Sequence, residues 1–193
     1  MADEPTRNLT LLAFAGSLRR ASYNRALLRA AQELTPAGMK IDIFDIGDIP
    51  LYNEDVEAEG DPEAVARFKE AIRDADGLLI ATPEYNHGVP GVTKNAIDWA
   101  SRPPRHSPLD GKPVAILGAS PGITGSARGQ SQLRQAFEFT NSYCMPQPEI
   151  LVYQAHQKFD EGGKLTDAKT REFLGRFLVA VGEWVRRFQP TSG

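Results

Sequence analysis

The chain has 193 residues, 41% of them apolar and 24% charged, with a net charge of −3. That length suits one domain with a single core, and the charge balance excludes a wholly disordered chain and a basic nucleic-acid footprint. One cysteine, Cys144, excludes an intrachain disulfide framework and a cysteine-based zinc site, and three scattered histidines show no metal-ligand spacing.

Leu9 to Ala15 is a short, nearly continuous apolar run that ends at Gly16, the pattern of a strand buried on both faces. Asn24 to Leu34 places Leu27, Ala30, Ala31 and Leu34 on one helical face. Met39 to Phe44 reads as a second strand, and the polar, acid-rich stretch Gly47 to Gly60 as a loop. Asp61-Pro62-Glu63 predicts a helix start, with Asp61 as the cap and Pro62 as the first helical residue. Val65, Phe68 and Ile72 form that helix's apolar face, and Gly77 to Ala81 is a third buried strand. Pro90 to Ala100 is a short helix, and Arg102 to Pro108 a proline-rich loop. Pro113 to Leu117 is the fourth strand, Ser126 to Thr140 a helix, and Glu149 to Tyr153 the fifth strand. Thr166 to Phe188 is a long helix whose apolar face includes Phe173, Phe177 and Trp184.

Five alternations of strand and helix predict a parallel sheet covered on both faces, a three-layer α/β/α sandwich in a single domain over residues 1–193 with its core at about 8–188. The common order for five such strands is 2-1-3-4-5. No apolar run is long enough for a membrane-spanning helix, and Met1 to Arg7 lacks the layout of a secretion signal. The expectation is a cytoplasmic protein with no membrane and no nucleic-acid partner.

In a sheet of that order, ligands bind beyond the carboxyl ends of the strands where the winding reverses, between the first and third strands. Three strand-to-helix loops meet that place. Gly16 to Asn24 offers short hydroxyls and a cation at a helix N-terminus, the chemistry of a phosphate cradle, without a Walker or dinucleotide fingerprint. Thr82 to Gly91 holds two prolines and two glycines, and its backbone suits the edge of a flat heteroaromatic ring, with Tyr85 beside it. Gly118 to Ser126 adds Ser120 as the first hydroxyl past the fourth strand. No catalytic base or nucleophile motif accompanies these loops, so no catalytic side chain is assigned, as fits a cofactor that carries the chemistry. Cys144 reads as a small buried residue with no cation near it in sequence.

The run G-S-L-R-x-x-S-x-N at Gly16 to Asn24 resembles the phosphate loop of the NADPH-dependent FMN reductase family, and Pro83 to Trp99 is similar to that family's second signature. The likeness extends from about Leu9 to Tyr153 and is nearest the class I chromate and quinone reductases. It implies a flavodoxin-like fold that binds FMN noncovalently and takes hydride from NADPH or NADH. It implies small-molecule acceptors: quinones, free flavin, azo and nitro compounds, or chromate-like oxyanions. Carried over, Ser17, Arg19, Ser22 and Asn24 would hold the FMN phosphate, with Tyr23 also among the cofactor contacts. Pro83, Glu84, Tyr85 and Asn86 would border the flavin ring, mostly through backbone groups, and Ser120 would border the ring or the ribityl chain from the third loop. The resemblance also implies a homodimer or homotetramer with the flavin at a subunit boundary. Ser131 stands where related chromate reductases carry an aromatic, a departure that weighs against the tetramer. Arg102 and Arg105 are expected near the same edge, as candidates for the 2′-phosphate of NADPH. The alternative is a flavodoxin-like electron carrier that uses no NAD(P)H.

Overall fold

The computed structural model describes residues 8–189; residues 1–7, where no secretion signal is read, lie outside the described residues. Apolar runs become strands in a parallel sheet: β1 (Leu9–Ala15), β2 (Met39–Phe44), β3 (Gly77–Ala81) and β4 (Pro113–Ala119). β3 and β4 are buried along their whole lengths, which is why both read as unbroken apolar runs. The helices are α1 (Tyr23–Glu33), α2 (Glu54–Glu59), α3 (Glu63–Asp74), α4 (Gly91–Ala100), α5 (Ala127–Phe139) and α6 (Ala168–Arg186). Two short strands, β5 (Tyr143–Cys144) and β6 (Ile150–Val152), both pair with β4. The order is β2-β1-β3-β4-β5 with β6 beside β4, so the expected 2-1-3-4-5 order holds and its fifth place is shared.

Alternation along each strand sorts the core into two halves. Leu9, Leu11, Ala13, Leu79 and Leu117 face α1 and α6, where Leu27, Leu174, Phe177, Leu178 and Val181 cover them. Leu12, Phe14, Leu78, Ile80 and Ile116 face the other way, onto Phe68 and Ile72 of α3, Ile97 of α4 and Leu133 and Phe137 of α5. The three layers follow from a period of two in the strands set against the helical period.

Several expectations need correction. The Gly47–Gly60 loop contains α2, capped by Asn53; it buries no residue, so it carries no apolar stripe to read. Pro62, not Asp61, caps α3, because the Asp61 carboxylate instead takes the buried Lys69 ammonium at 2.6 Å. The predicted fifth strand shrinks to β6, and β5 precedes it, too short to leave a periodic signal. Phe173 is exposed rather than core, and Arg176 and Lys169 lie over its ring. Cys144 lies on β5, half-buried, with the Arg134 guanidinium 3.4 Å from its sulfur. Burial nonetheless pushes its thiol pKa up, and Arg134 opposes this only in part.

Candidate functional site

β1, β3 and β4 deliver their carboxyl ends side by side, and the three loops that follow them meet there. Gly16 N–H still reaches Ala81 O at 2.8 Å, and a Cβ on Gly16 would lie 2.1 Å from Thr93 Oγ1, so only glycine lets β1 turn away against α4. The backbone N–H groups of the next five residues, Ser17 to Ala21, donate to no acceptor among the described residues. They precede the N-terminus of α1, whose dipole end is positive. Ser22 caps that helix, its Oγ accepting from Asn24 N at 3.2 Å and Arg25 N at 3.4 Å. Arg25 is neutralised by Asp45, while Arg19 lies over the Tyr23 ring at 5.7 Å. Consecutive free N–H groups, a helix start and an unpaired arginine form an anion-binding concavity. A phosphate fits this donor set.

The second loop leaves β3 at Thr82 and Pro83 and folds into a two-residue hairpin. Tyr85 and Gly88 exchange backbone bonds of 3.0 and 2.9 Å, and Asn86 and His87 between them have φ of 51° and 63°. That is a type I′ turn, so Asn86 and His87, rather than the flanking prolines and glycines, set the loop's shape. Tyr85 is 51% exposed, and its hydroxyl lies 3.4 Å from Ser17 Oγ. The N–H groups of Glu84, Asn86 and His87 have no acceptor among the described residues, and a flat ring with edge acceptors suits them.

In the third loop, Ser120 is half-buried, and its Oγ accepts from Gly122 N at 3.1 Å. Gln154 N and Ala155 N hold this loop from outside, on Gly122 O and Ser120 O.

Two residues expected to contact a ligand are occupied elsewhere. Asn24 is 2% exposed, and its amide makes paired bonds of 2.9 Å to the N–H and C=O of Ala119. It ties the first loop to the end of β4. Tyr23 packs its ring on Phe159, 5.5 Å between centroids, as part of the core beneath the loop. Glu84 also turns its side chain away. The carboxylate accepts from Arg128 N at 2.9 Å, Arg128 Nη1 at 3.0 Å and Gly129 N at 3.4 Å. Arg102 and Arg105, expected near the same edge, line a groove between α4 and α5. They follow the ten residues of α4, which carry them about 15 Å from the loop. Arg102 rests over the Tyr52 ring at 5.2 Å.

Sequence reasoning missed the first two turns of α5 as part of the site. Arg128, Gly129 and Gln132 all hold the second loop, Gln132 Oε1 accepting from Val89 N at 2.6 Å. A signal was available: a glycine near the start of a helix costs stability unless something must approach it closely.

The family described as NADPH-dependent FMN reductase matches residues 9–157. An NAD(P)H-dependent FMN reductase of Pseudomonas aeruginosa is 52% identical over 94% of this chain and 98% of its own. A quinone reductase of Pseudomonas putida is 48% identical over 89% of this chain and 91% of its own. The solved structure of FerB, a flavoenzyme NAD(P)H:(acceptor) oxidoreductase from Paracoccus denitrificans, superposes with a TM-score of 0.85 at 38% identity. That superposition covers 93% of this chain and 98% of FerB.

Proposed function

The chain belongs to the NADPH-dependent FMN reductase family, and on that premise we propose that the three loops above β1, β3 and β4 hold FMN noncovalently. The protein is an FMN-dependent NAD(P)H oxidoreductase of the quinone reductase kind. When bound, FMN supplies the relay that takes hydride from NADPH or NADH and passes electrons to a second substrate. The electron-carrier alternative is not favoured by relatives of this identity.

The observation that carries the site assignment is the run of free N–H groups from Ser17 to Ala21 at the start of α1. In this reading Ser17, Arg19 and Ser22 hold the phosphate, Ser22 through its hydroxyl proton, since its oxygen already caps the helix. Asn24 and Tyr23 support that loop from below. Pro83 to Asn86 present backbone groups to the ring edge, with Tyr85 at the exposed mouth, and Ser120 closes the third side. The chain needs no proton-abstracting side chain, because its task is to position two redox partners in turn and to favour negative charge on the cofactor. The acceptors in this reading are quinones first, then free flavin, azo and nitro compounds and chromate-like oxyanions.

The rest of the reading concerns assembly and place. In this reading the chain is one FMN-binding domain, which is supported by the single sheet that both halves of the core share among the described residues. A groove of about 930 Å³ between α4 and α5 is lined by Ile97, Pro104, Ala136 and Phe139, with Phe139 93% exposed. Lys94 and Asp98 pair with each other in its lining, and Arg105 and Asp110 add both signs, which suits a two-fold copy of the same surface. The occupant is a second copy of this chain, and the assembly is a homodimer. No helix among the described residues is long and apolar enough to cross a membrane. A cytoplasmic site of action completes the reading, supported by the single cysteine.

An anaerobic absorbance spectrum of the purified protein, before and after NADPH, tests the function. A flavin spectrum that bleaches on addition is expected. A protein that neither carries FMN nor takes it up would remove the three-loop assignment, and a flavin left oxidised by NADPH and NADH would return the electron-carrier reading.

A further inference from the structure

The second loop is held from behind by α5. Glu84 comes from the loop, and its side chain is 8% exposed. Its carboxylate meets the first two residues of α5 that need an acceptor, Arg128 N and Gly129 N, and the Arg128 guanidinium as well. Charge-assisted bonds to free helix N–H groups are among the stronger ones a protein makes. Gly129 lets the two elements close. A Cβ there would lie 2.9 Å from Pro83 O, 3.2 Å from Gly88 O and 3.4 Å from Glu84 Cα, three backbone atoms of the loop. These atoms cannot swing aside as a side-chain tip would. Gln132, one turn further on, accepts from Val89 N where the loop ends. Entry, middle and exit of the loop are therefore all fastened to one helical turn and a half.

We propose that Glu84, Gly129 and Gln132 form a clamp that fixes the hairpin loop to α5 and so sets the position of the backbone edge that borders the flavin. All three side chains act by positioning, and Glu84 faces the ring through its backbone alone while its carboxylate turns to α5. The proposal rests on the placement of FMN given above, but the clamp is a property of the flavin-free protein too. It also ranks its parts. The N–H groups of α5 hold the carboxylate, and the guanidinium, half in solvent, adds little through screened charge. Removing Glu84 strands two helix N–H groups, whereas removing the Arg128 side chain strands none.

The test compares Glu84→Ala, Arg128→Ala and the pair Gln132→Glu and Gln132→Met in flavin-free and FMN-loaded protein. Amide hydrogen exchange over residues 84–89 of the flavin-free protein reads the clamp directly. Fluorescence quenching reads the FMN dissociation constant, and steady-state kinetics with NADPH reads kcat and KM. Glu84→Ala is expected to speed exchange in the loop and to weaken FMN about tenfold, the loss of one charge-assisted contact carried to the ligand. Arg128→Ala is expected to stay within about threefold of the parent on both readouts. Gln132→Glu keeps an acceptor for Val89 N and is expected to match the parent, while Gln132→Met, of similar size, is expected to loosen the loop's exit. A lower kcat with little change in KM is the expected kinetic mark of a misplaced ring. Unchanged loop exchange in Glu84→Ala, or an Arg128→Ala loss equal to that of Glu84→Ala, would overturn the proposal. Should Glu84→Ala fail to fold, the Gln132 pair decides: equal exchange in its two members overturns the clamp. A parent protein that binds no FMN would sink the site assignment while leaving the exchange result to judge the clamp.

Discussion

Glu84 shows how far a side chain's task lies from what its neighbours in sequence suggest. Burial on its own would raise its carboxyl pKa. The Arg128 guanidinium and the N–H groups of Arg128 and Gly129 outweigh burial and hold it below its ordinary 4.5. A carboxyl with a lower pKa folded than unfolded stabilises the fold at pH values above the unfolded value and loses that contribution as pH falls through the folded one. The Asp167 carboxyl, lowered by its hydrogen bonds to Thr170 at the start of α6, acts in the same direction. Stability against urea should therefore fall between about pH 5 and about pH 3, and fall less steeply in Glu84→Gln, which lacks the Glu84 share. Parallel slopes in the two proteins would remove the contribution of Glu84. Asn24 teaches the same lesson. The phosphate-loop spacing was legible, but the partner of its amide is Ala119, 95 positions away, and of Glu84's carboxylate Arg128, 44 positions away. A motif shows which residue types gather at a loop; it does not show which way each one faces.

At the scale of elements, legibility followed burial. β1, β3 and β4 could be read because a strand covered on both faces must be apolar throughout. α2 left no trace, because nothing on it is buried, and β5 is too short for any period to register. The segment that α2 belongs to is nevertheless well anchored. Asn95 of α4 accepts from Tyr52 N at 2.8 Å and donates to Pro50 O at 2.8 Å, and Trp99 Nε1 donates to the same carbonyl at 2.9 Å. Asn95 and Trp99 belong to the second signature run, so part of that run serves to strap down the chain between β2 and α3. The strap's far end is the Asp61–Lys69 pair, with the Lys69 side chain 3% exposed and that of Asp61 29%. The asymmetry predicts unequal mutants. Asp61→Ala leaves an ammonium buried with no counter-charge and should cost roughly 2 to 4 kcal/mol. Lys69→Met leaves a carboxylate that water can reach and fills the same space with an apolar chain, so it should cost under about 1 kcal/mol. Denaturant midpoints of the two variants check this, and equal losses would contradict it.

At the scale of the whole molecule, the proposed dimer turns on Phe139. A phenylalanine that is 93% exposed at the end of α5, beside a large groove, is poorly placed in an isolated chain. Burying one such ring contributes about 2 kcal/mol, and a two-fold interface buries it twice. Roughly 4 kcal/mol is about a thousandfold in a dimer constant, enough to decide whether chains pair at micromolar concentration. Phe139→Lys should therefore shift the mass measured by light scattering from twice 21.2 kDa toward 21.2 kDa. The same change leaves the loops above β1, β3 and β4 in place, because Phe139 closes the far end of α5 from the Glu84 clamp. FMN affinity then becomes informative. If the flavin site is complete within one chain, the monomeric variant keeps the parent's dissociation constant. If the second copy closes the exposed mouth at Tyr85, affinity falls as the mass falls, and the two curves share a midpoint in protein concentration. A parent already at 21.2 kDa would remove the dimer, and a mass of four chains would show that Ser131 does not prevent the larger assembly.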